Sequence, residues 1–517
     1  MHDFSELSTL VNFLKGQTFP RDLPLSLNLP PRSLVEKFFQ GIANGEYKTD
    51  EEAAKDLYGT NTSSSSFIRL KDRLFSKLLQ QLFLINFEGS KFSLESQKYY
   101  KNTTNLLAAQ ILIGMGNFTL AKKISKRIVK YARENNQPEI GFLACNILKI
   151  IIWENPEKRI TRELNEYDNI SKSFRHNLMI ESEINSSYGT IIQNMKKGGD
   201  FNKKEIELVN KNLKNLETKL NGVSNNKLLR YYFSIAVLEI HKTNFDNAIK
   251  TCEQGLKKTN NTQIPSAQIL HLLKTQCHIH LNHYQKALEN IKAAEKNDRK
   301  RGHNRFQFFE LKFLIYIRSS DFGNAAKIYQ NATSNVFFPS LSQIAQESWH
   351  QYGLLLLFLI QLDKIPPSES LNKVKPKLRL GKLLNELQEY AKDKSGQNLS
   401  IRILHAMILL VSKRYDEFEE SLPPLQAYIQ RYIRKYPELA RSGMLVKMLS
   451  HIPAVGYDAE RAAWRARTQL EKMTVPPETL PLKITEMEVI PYEKMWQFVV
   501  EFLHTLKKRP SAKKRDT

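Results

Sequence analysis

KTNFDNAIKTCEQGLKK, residues 242–258, opens with a polar turn and then an aromatic, Phe245. After it Ala248, Cys252, Gly255 and Leu256 recur at i, i+4, i+7 and i+8, the spacing of one helix face. Most of that face is small, so a second helix can approach it closely, and the aromatic fills the remaining gap. Just upstream, LLRYYFSIAVLEIH (228–241) places Tyr232, Ile235 and Ala236 at helical spacing. The unit is therefore helix, short turn, helix.

It recurs. HYQKALENI brings Tyr284 and Ala287, 39 residues after Phe245, and SDFGNAAKIY brings Phe322 and Ala325 a further 38 on. Phe118 and Ala121 mark an earlier unit, preceded by Ala108, Ala109 and Leu112. A constant period of this length is the signature of stacked helical hairpins. Tyr232, Ile235, Ala236, Phe245, Ala248, Cys252 and Gly255 resemble the pattern of the tetratricopeptide repeat. So do Phe309, Tyr316, Phe322, Ala325, Tyr329 and Ala332 in the third unit, and Tyr284, Ala287, Ile291 and Ala294 in the second. The period exceeds that family's 34 residues, so the helices or loops are longer. Trp349, Tyr352, Gly353 and Leu356 give one more first helix, without a proper second one. Ala406, Leu409 and Tyr415 give a late unit in which Phe418 replaces the small residue.

The resemblance implies an all-α fold, an α-solenoid of antiparallel helix pairs, with an N-terminal helical subdomain. In this family the first helix of each pair lines the concave groove. Its outward positions here are Arg230 and His241, then Gln276 and His280, then Gln307 and Arg318. That mixture suits a protein or peptide partner carrying acidic groups, since the Arg fork matches carboxylates.

Composition agrees with a foldable helical chain: 517 residues, 41% hydrophobic, 25% charged, with only 20 Gly and 20 Pro. Three distant cysteines (Cys145, Cys252, Cys277) argue against a disulfide framework. The N-terminus lacks a basic region followed by an apolar core, and the longest apolar run, YGLLLLFLI (352–360), is half the ~18 residues a membrane helix needs. A cytoplasmic protein with no membrane partner is the expectation; its oligomeric state stays open.

The net charge is +24. The excess is spread over KKISKRIVKYAR (122–133), RKRGHNR (299–305), KVKPKLRLGK (373–382), RYIRK (431–435) and the tail KKRPSAKKR (507–515). Solvated helix faces explain such clusters; a nucleic-acid surface is the alternative. Its sharpest form lies near the N-terminus. Loop-like sequence closes residues 1–31. Ser33 with Glu36, and Thr49 with Glu52, are capping boxes opening two short helices, and Gly59 ends the second. A longer helix follows, with Phe67, Leu70, Leu74 and Leu78 on one face and Arg69, Lys71, Arg73 and Lys77 largely off it. Those four cations are the candidate nucleic-acid residues of a helix-turn-helix. The gap from Tyr58 to about Ser64 exceeds the usual turn, and the second helix is strongly apolar.

The sequence has no phosphate loop, dinucleotide fingerprint, HExxH or nucleophile elbow. His271, Cys277, His278, His280 and His283 do not share one helix face, so neither metal nor cofactor is expected, and no enzyme activity. Residues 337–400 break the rhythm, 452–473 read as one amphipathic helix, and a last helix with Met495, Phe498, Val499 and Phe502 caps the array. The expected organisation is 1–100, N-terminal subdomain; 101–450, solenoid; 451–508, capping helices; 509–517, basic tail.

Overall fold

The computed structural model describes residues 3–15, 33–59, 61–87, 92, 94–154, 160–196, 202–259, 267–296, 305–385, 397–432, 439–476, 479–481 and 488–506. The tail 509–517 and parts of two basic clusters (299–304 and 433–435) lie outside them. The fold is all-α: among the described residues there are 23 α-helices and no strand. The described residues of the segment 83–94 that follows the N-terminal helices form no strand. The chain divides into two compact units, residues 1–182 with 218–225, and 183–217 with 226–517; the division falls inside one long helix.

The first unit opens with α1 (Phe4–Lys15), α2 (Leu34–Asn44), α3 (Asp50–Tyr58) and α4 (Ser65–Leu82) around one core. α1 precedes the loop-like end of residues 1–31, which lies outside the described residues; its Leu7, Val11 and Leu14 are buried at i, i+4 and i+7. The N-cap bond of each expected capping box forms: Ser33 Oγ accepts from the Glu36 N–H at 3.2 Å and Thr49 Oγ1 from the Glu52 N–H at 3.3 Å, while the Glu52 carboxylate accepts from the Lys48 N–H. A second core joins α5 (Leu94–Gly114), α6 (Phe118–Glu134), α7 (Pro138–Trp153) and the start of α8 (Ile160–Lys196). Gly141 on α7 has no room for a side chain, since a Cβ there would come within 2.8 Å of Ala132 Cβ on α6.

The second unit holds α9 (Lys203–Leu216) and then the repeating hairpins: α10 (Asn225–His241) with α11 (Phe245–Lys258), α12 (Gln268–His280) with α13 (Tyr284–Lys296), and α14 (Arg305–Arg318) with α15 (Phe322–Thr333). Each packs on the next in chain order. The small residues act as expected. Ala236, Ala248 and Cys252 are fully buried. A Cβ on Gly255 would lie 2.8 Å from Tyr232 Cβ, so only glycine permits this α10–α11 approach. Then come α16 (Gln343–Gln361), short α17 (Glu369–Val374) and α18 (Leu380–Asn385), the α19 (Gln397–Val411)–α20 (Tyr415–Tyr432) hairpin, α21 (Ala440–Ala454), α22 (Ala459–Met473) and α23 (Tyr492–Thr505). The single helix expected over 452–473 is two, because Gly456 and Tyr457 both take positive φ (67° and 63°) and turn the chain.

One turn geometry recurs between paired helices. Thr243, Asn282, Ser320 and Lys413 each adopt a left-handed φ of 60–64°, two residues before the next helix begins. At the first, the Thr243 N–H reaches the Ile240 carbonyl (3.0 Å) and the Asn244 N–H the Glu239 carbonyl (2.9 Å). His283 to His278 (2.8 Å) and Asp321 to Tyr316 (2.8 Å) repeat the longer bond. This is the Schellman closure, normally completed by glycine. A β-branched residue is strained there, so Thr243→Gly is expected to stabilise the protein by about 0.5–1 kcal/mol net of glycine's extra unfolded-state entropy. A lower thermal midpoint for that variant would contradict the reading.

The C-terminal segment is held by a buried charge network. Arg441 and Glu488 are 7% and 5% exposed. The guanidinium meets Glu488 through Nε–Oε1 (2.6 Å) and Nη2–Oε2 (3.0 Å), meets Glu493 at 2.8 Å, and donates to the Met473 carbonyl. Arg318, at the end of α14, donates to the Glu488 carbonyl. Below this network Tyr492, Met495, Trp496, Phe498, Val499, Phe502 and Leu503 are buried in the core of the later hairpins.

Candidate partner-binding groove

Three stripes of side chains face one another in the second unit. On α11, Asp246, Ile249, Glu253, Leu256 and Lys257 follow at i, i+3, i+7, i+10 and i+11. On α12, His271, Lys274 and His278 follow at i, i+3 and i+7. On α13, Lys286, Glu289, Asn290 and Ala293 do the same, with His283 from the turn. Each is a single face of its helix. Together they enclose a groove of about 910 Å³, with α12 between the two second helices.

The walls are fixed by their own hydrogen bonds. Asn290, 7% exposed, sends Nδ2 to the His271 carbonyl (3.1 Å) and to Thr275 Oγ1 (3.2 Å). Its Oδ1 lies 3.0 Å from His271 Nδ1, which therefore carries the proton. Lys274 reaches Glu253 at 2.7 Å, tying α12 to α11. Burial lowers the His271 pKa, with Asn290 opposing, and takes His278 down to about 4, helped by the neighbouring Lys274, His283 and Lys286. His278 is thus a neutral imidazole near pH 7, and its buried Nδ1 has no hydrogen-bond partner among the described residues. The groove offers neutral imidazoles, amides, ammonium groups and carboxylates over an apolar floor of Ile249 and Leu256. The nearby thiols are packing groups. Burial pushes Cys252 up to about 12 and Cys277 higher still, so neither is a thiolate at neutral pH. Among the described residues no three or more His, Cys, Asp or Glu are placed to hold a metal ion.

The residues expected to face a partner from the first helices are scattered. Gln307 and His241 are exposed and Gln276 half-buried. Arg230 is half-buried, bonded to Asn185 Oδ1 (2.7 Å), with its guanidinium 5.1 Å from the Tyr188 ring. His280 is a correction: it is 2% exposed and stacks on Phe245, ring centres 4.1 Å apart. Arg318 is another, covered by the chain's own Glu488. Both end their helices, where neighbouring segments close over them. The groove was missed although its polar i, i+3, i+7 stripes are readable, because no spacing tells which stripes meet.

Among the N-terminal candidates, Arg69 and Arg73 are exposed and Lys77 half-buried. Lys71 does not reach solvent: it is 4% exposed, pairs with Asp50 at 2.7 Å and lies 5.3 Å from the Phe67 ring. It ties α4 to α3 instead of reading phosphate. No described helix is long and apolar enough to cross a membrane. Compared with protein-family models and with curated proteins, the chain matches none.

Proposed function

We propose that the chain is a non-catalytic scaffold of tetratricopeptide-like hairpins, stacked as an α-solenoid, that holds a segment of a partner protein between α11, α12 and α13. The supporting observation is the groove itself: three polar stripes held in place by internal bonds. Lys257 and Lys286 suit carboxylates of the partner segment and Asp246 suits its cations, so the occupant carries both signs of charge. A pre-formed site binds without first ordering its own walls.

Random peptides displayed on phage and selected against the full chain test this. Ala293 is exposed and lines the groove, so Ala293→Arg fills it without touching the core. Selected peptides are expected to bind wild type and to lose at least about tenfold affinity for the variant, at an unchanged melting temperature. Peptides that bind both proteins equally would place the docking surface elsewhere.

A further inference from the structure

A second surface, in the first unit and independent of the groove, has chemistry of its own. Helix α6 carries Lys122, Lys123, Lys126, Arg127, Lys130 and Arg133 against one carboxylate, Glu134. Its core face is Ala121, Ser125, Ile128, Val129 and Ala132. At 100° per residue the six cations fall on the opposite arc. Glu163 of α8 takes two of them, Lys122 and Lys126, both at 2.9 Å. Lys130 has only Glu134, at 4.0 Å and in the weaker Lys-before-Glu order. No ion pair among the described residues holds Lys123, Arg127 or Arg133, all exposed.

This arrangement is unfavourable for the helix by itself. Lys122/Lys126, Lys123/Arg127 and Lys126/Lys130 are like charges at i, i+4, and Lys123/Lys126, Arg127/Lys130 and Lys130/Arg133 at i, i+3. Each such pair destabilises a helix. Some lysines elsewhere are answered in place, as Lys274 is by Glu253, Lys312 by Glu295 and Lys364 by Glu501. Local conflicts of this kind accompany function. Beside the arc lies a hollow of about 490 Å³ whose rim holds Lys126, Lys130 and Arg133 together with the carboxylates of Glu134 and Glu166.

We propose that this face of α6 binds the sugar-phosphate backbone of a nucleic acid. The charge selects a polyanion. The composition of the arc selects phosphate over an acidic protein: apart from charged groups it holds little more than Thr119, whereas a protein interface needs an apolar centre and is depleted in lysine. Phosphates are held by Lys and Arg alone and release counterions as they bind. From Lys123 to Arg133 the helix rises about 15 Å, room for contacts to several successive phosphates.

The test is fluorescence anisotropy of the full chain with a labelled 20-base-pair DNA duplex between about 50 and 200 mM salt. Four contacts (Lys123, Arg127, Lys130, Arg133) predict a log–log salt slope near −3.6 from this face. Changing all four to Gln is expected to remove most of that slope, weaken binding about a hundredfold or more at 0.1 M salt, and leave the melting temperature equal or higher. Lys123→Arg with Lys130→Arg keeps the charge and is expected to keep binding. Changing Lys375, Lys377 and Arg379 to Gln, all exposed in the second unit, is expected to change little. The proposal is overturned if wild type does not bind, if the quadruple variant binds with the wild-type slope, or if the Lys375 set loses as much. It is equally overturned if a poly-glutamate peptide of matched charge displaces the duplex at equal charge concentration, which would assign the face to an acidic protein. Loss of peptide binding at the groove leaves this result untouched.

Discussion

Arg441→Ala is expected to cost about 3–5 kcal/mol and to loosen the C-terminal segment, because it leaves Glu488 charged, buried and without its cation. Arg441 also serves Glu493 and the Met473 carbonyl, so one truncation strands three acceptors. The thermal midpoint should fall by roughly 5 °C, and limited proteolysis should cut near residue 488 before the rest. Arg441→Met combined with Glu488→Met should recover much of the loss, since what costs most is the unpaired charge and not the missing pair. The pH dependence has a definite sign. Burial already raises the Glu488 pKa, although Arg441 pulls it down. A carboxyl whose folded pKa is raised is penalised when ionised, and the penalty disappears as pH falls through that pKa. Removing Arg441 raises it further, so the deficit of the variant should shrink from about pH 8 to about pH 5. A deficit constant over that range would refute the account.

Phe245→Ala should cost a comparable amount, about 3–5 kcal/mol. The ring is 2% exposed, sits at the start of α11 and stacks on the His280 imidazole. Truncation removes its own buried area, leaves a cavity and uncovers His280. Phe245→Leu keeps most of the volume and should cost no more than about 1.5 kcal/mol. Urea unfolding measures both; equal losses for Leu and Ala would mean that the volume of the ring is not what holds the hairpin.

The hairpins from α10 to α15 were legible because their packing is local. Ala248, Cys252, Gly255 and Phe245 meet residues of the helix next in sequence, so spacing alone predicts the contact. The residues that escaped are polar side chains and a helix break, which spacing does not distinguish from an exposed helix face. His280 looks like a polar position on an outward face until Phe245 is seen to cover it. Lys71 looks like a free cation, yet its partner Asp50 lies on another helix. The break at Gly456 was lost inside an amphipathic pattern that continues across it. The 37 residues of α8 carry no repeat signature, and the chain's division into two units falls within it. The groove needs three helices in register, which no single stretch of sequence encodes.

The bond between Arg318 and Glu488 spans 170 residues. A ribosome adding about 5–20 residues per second needs roughly 10–30 s to cover that distance. During that interval the later helices emerge without α23, and the apolar surface that Trp496, Phe498 and Phe502 will cover stays open to solvent or to chaperones. The earlier hairpins can close as each one emerges. The nascent chain is therefore most exposed to aggregation while α23 is still being made, and termination before Tyr492 would leave it so.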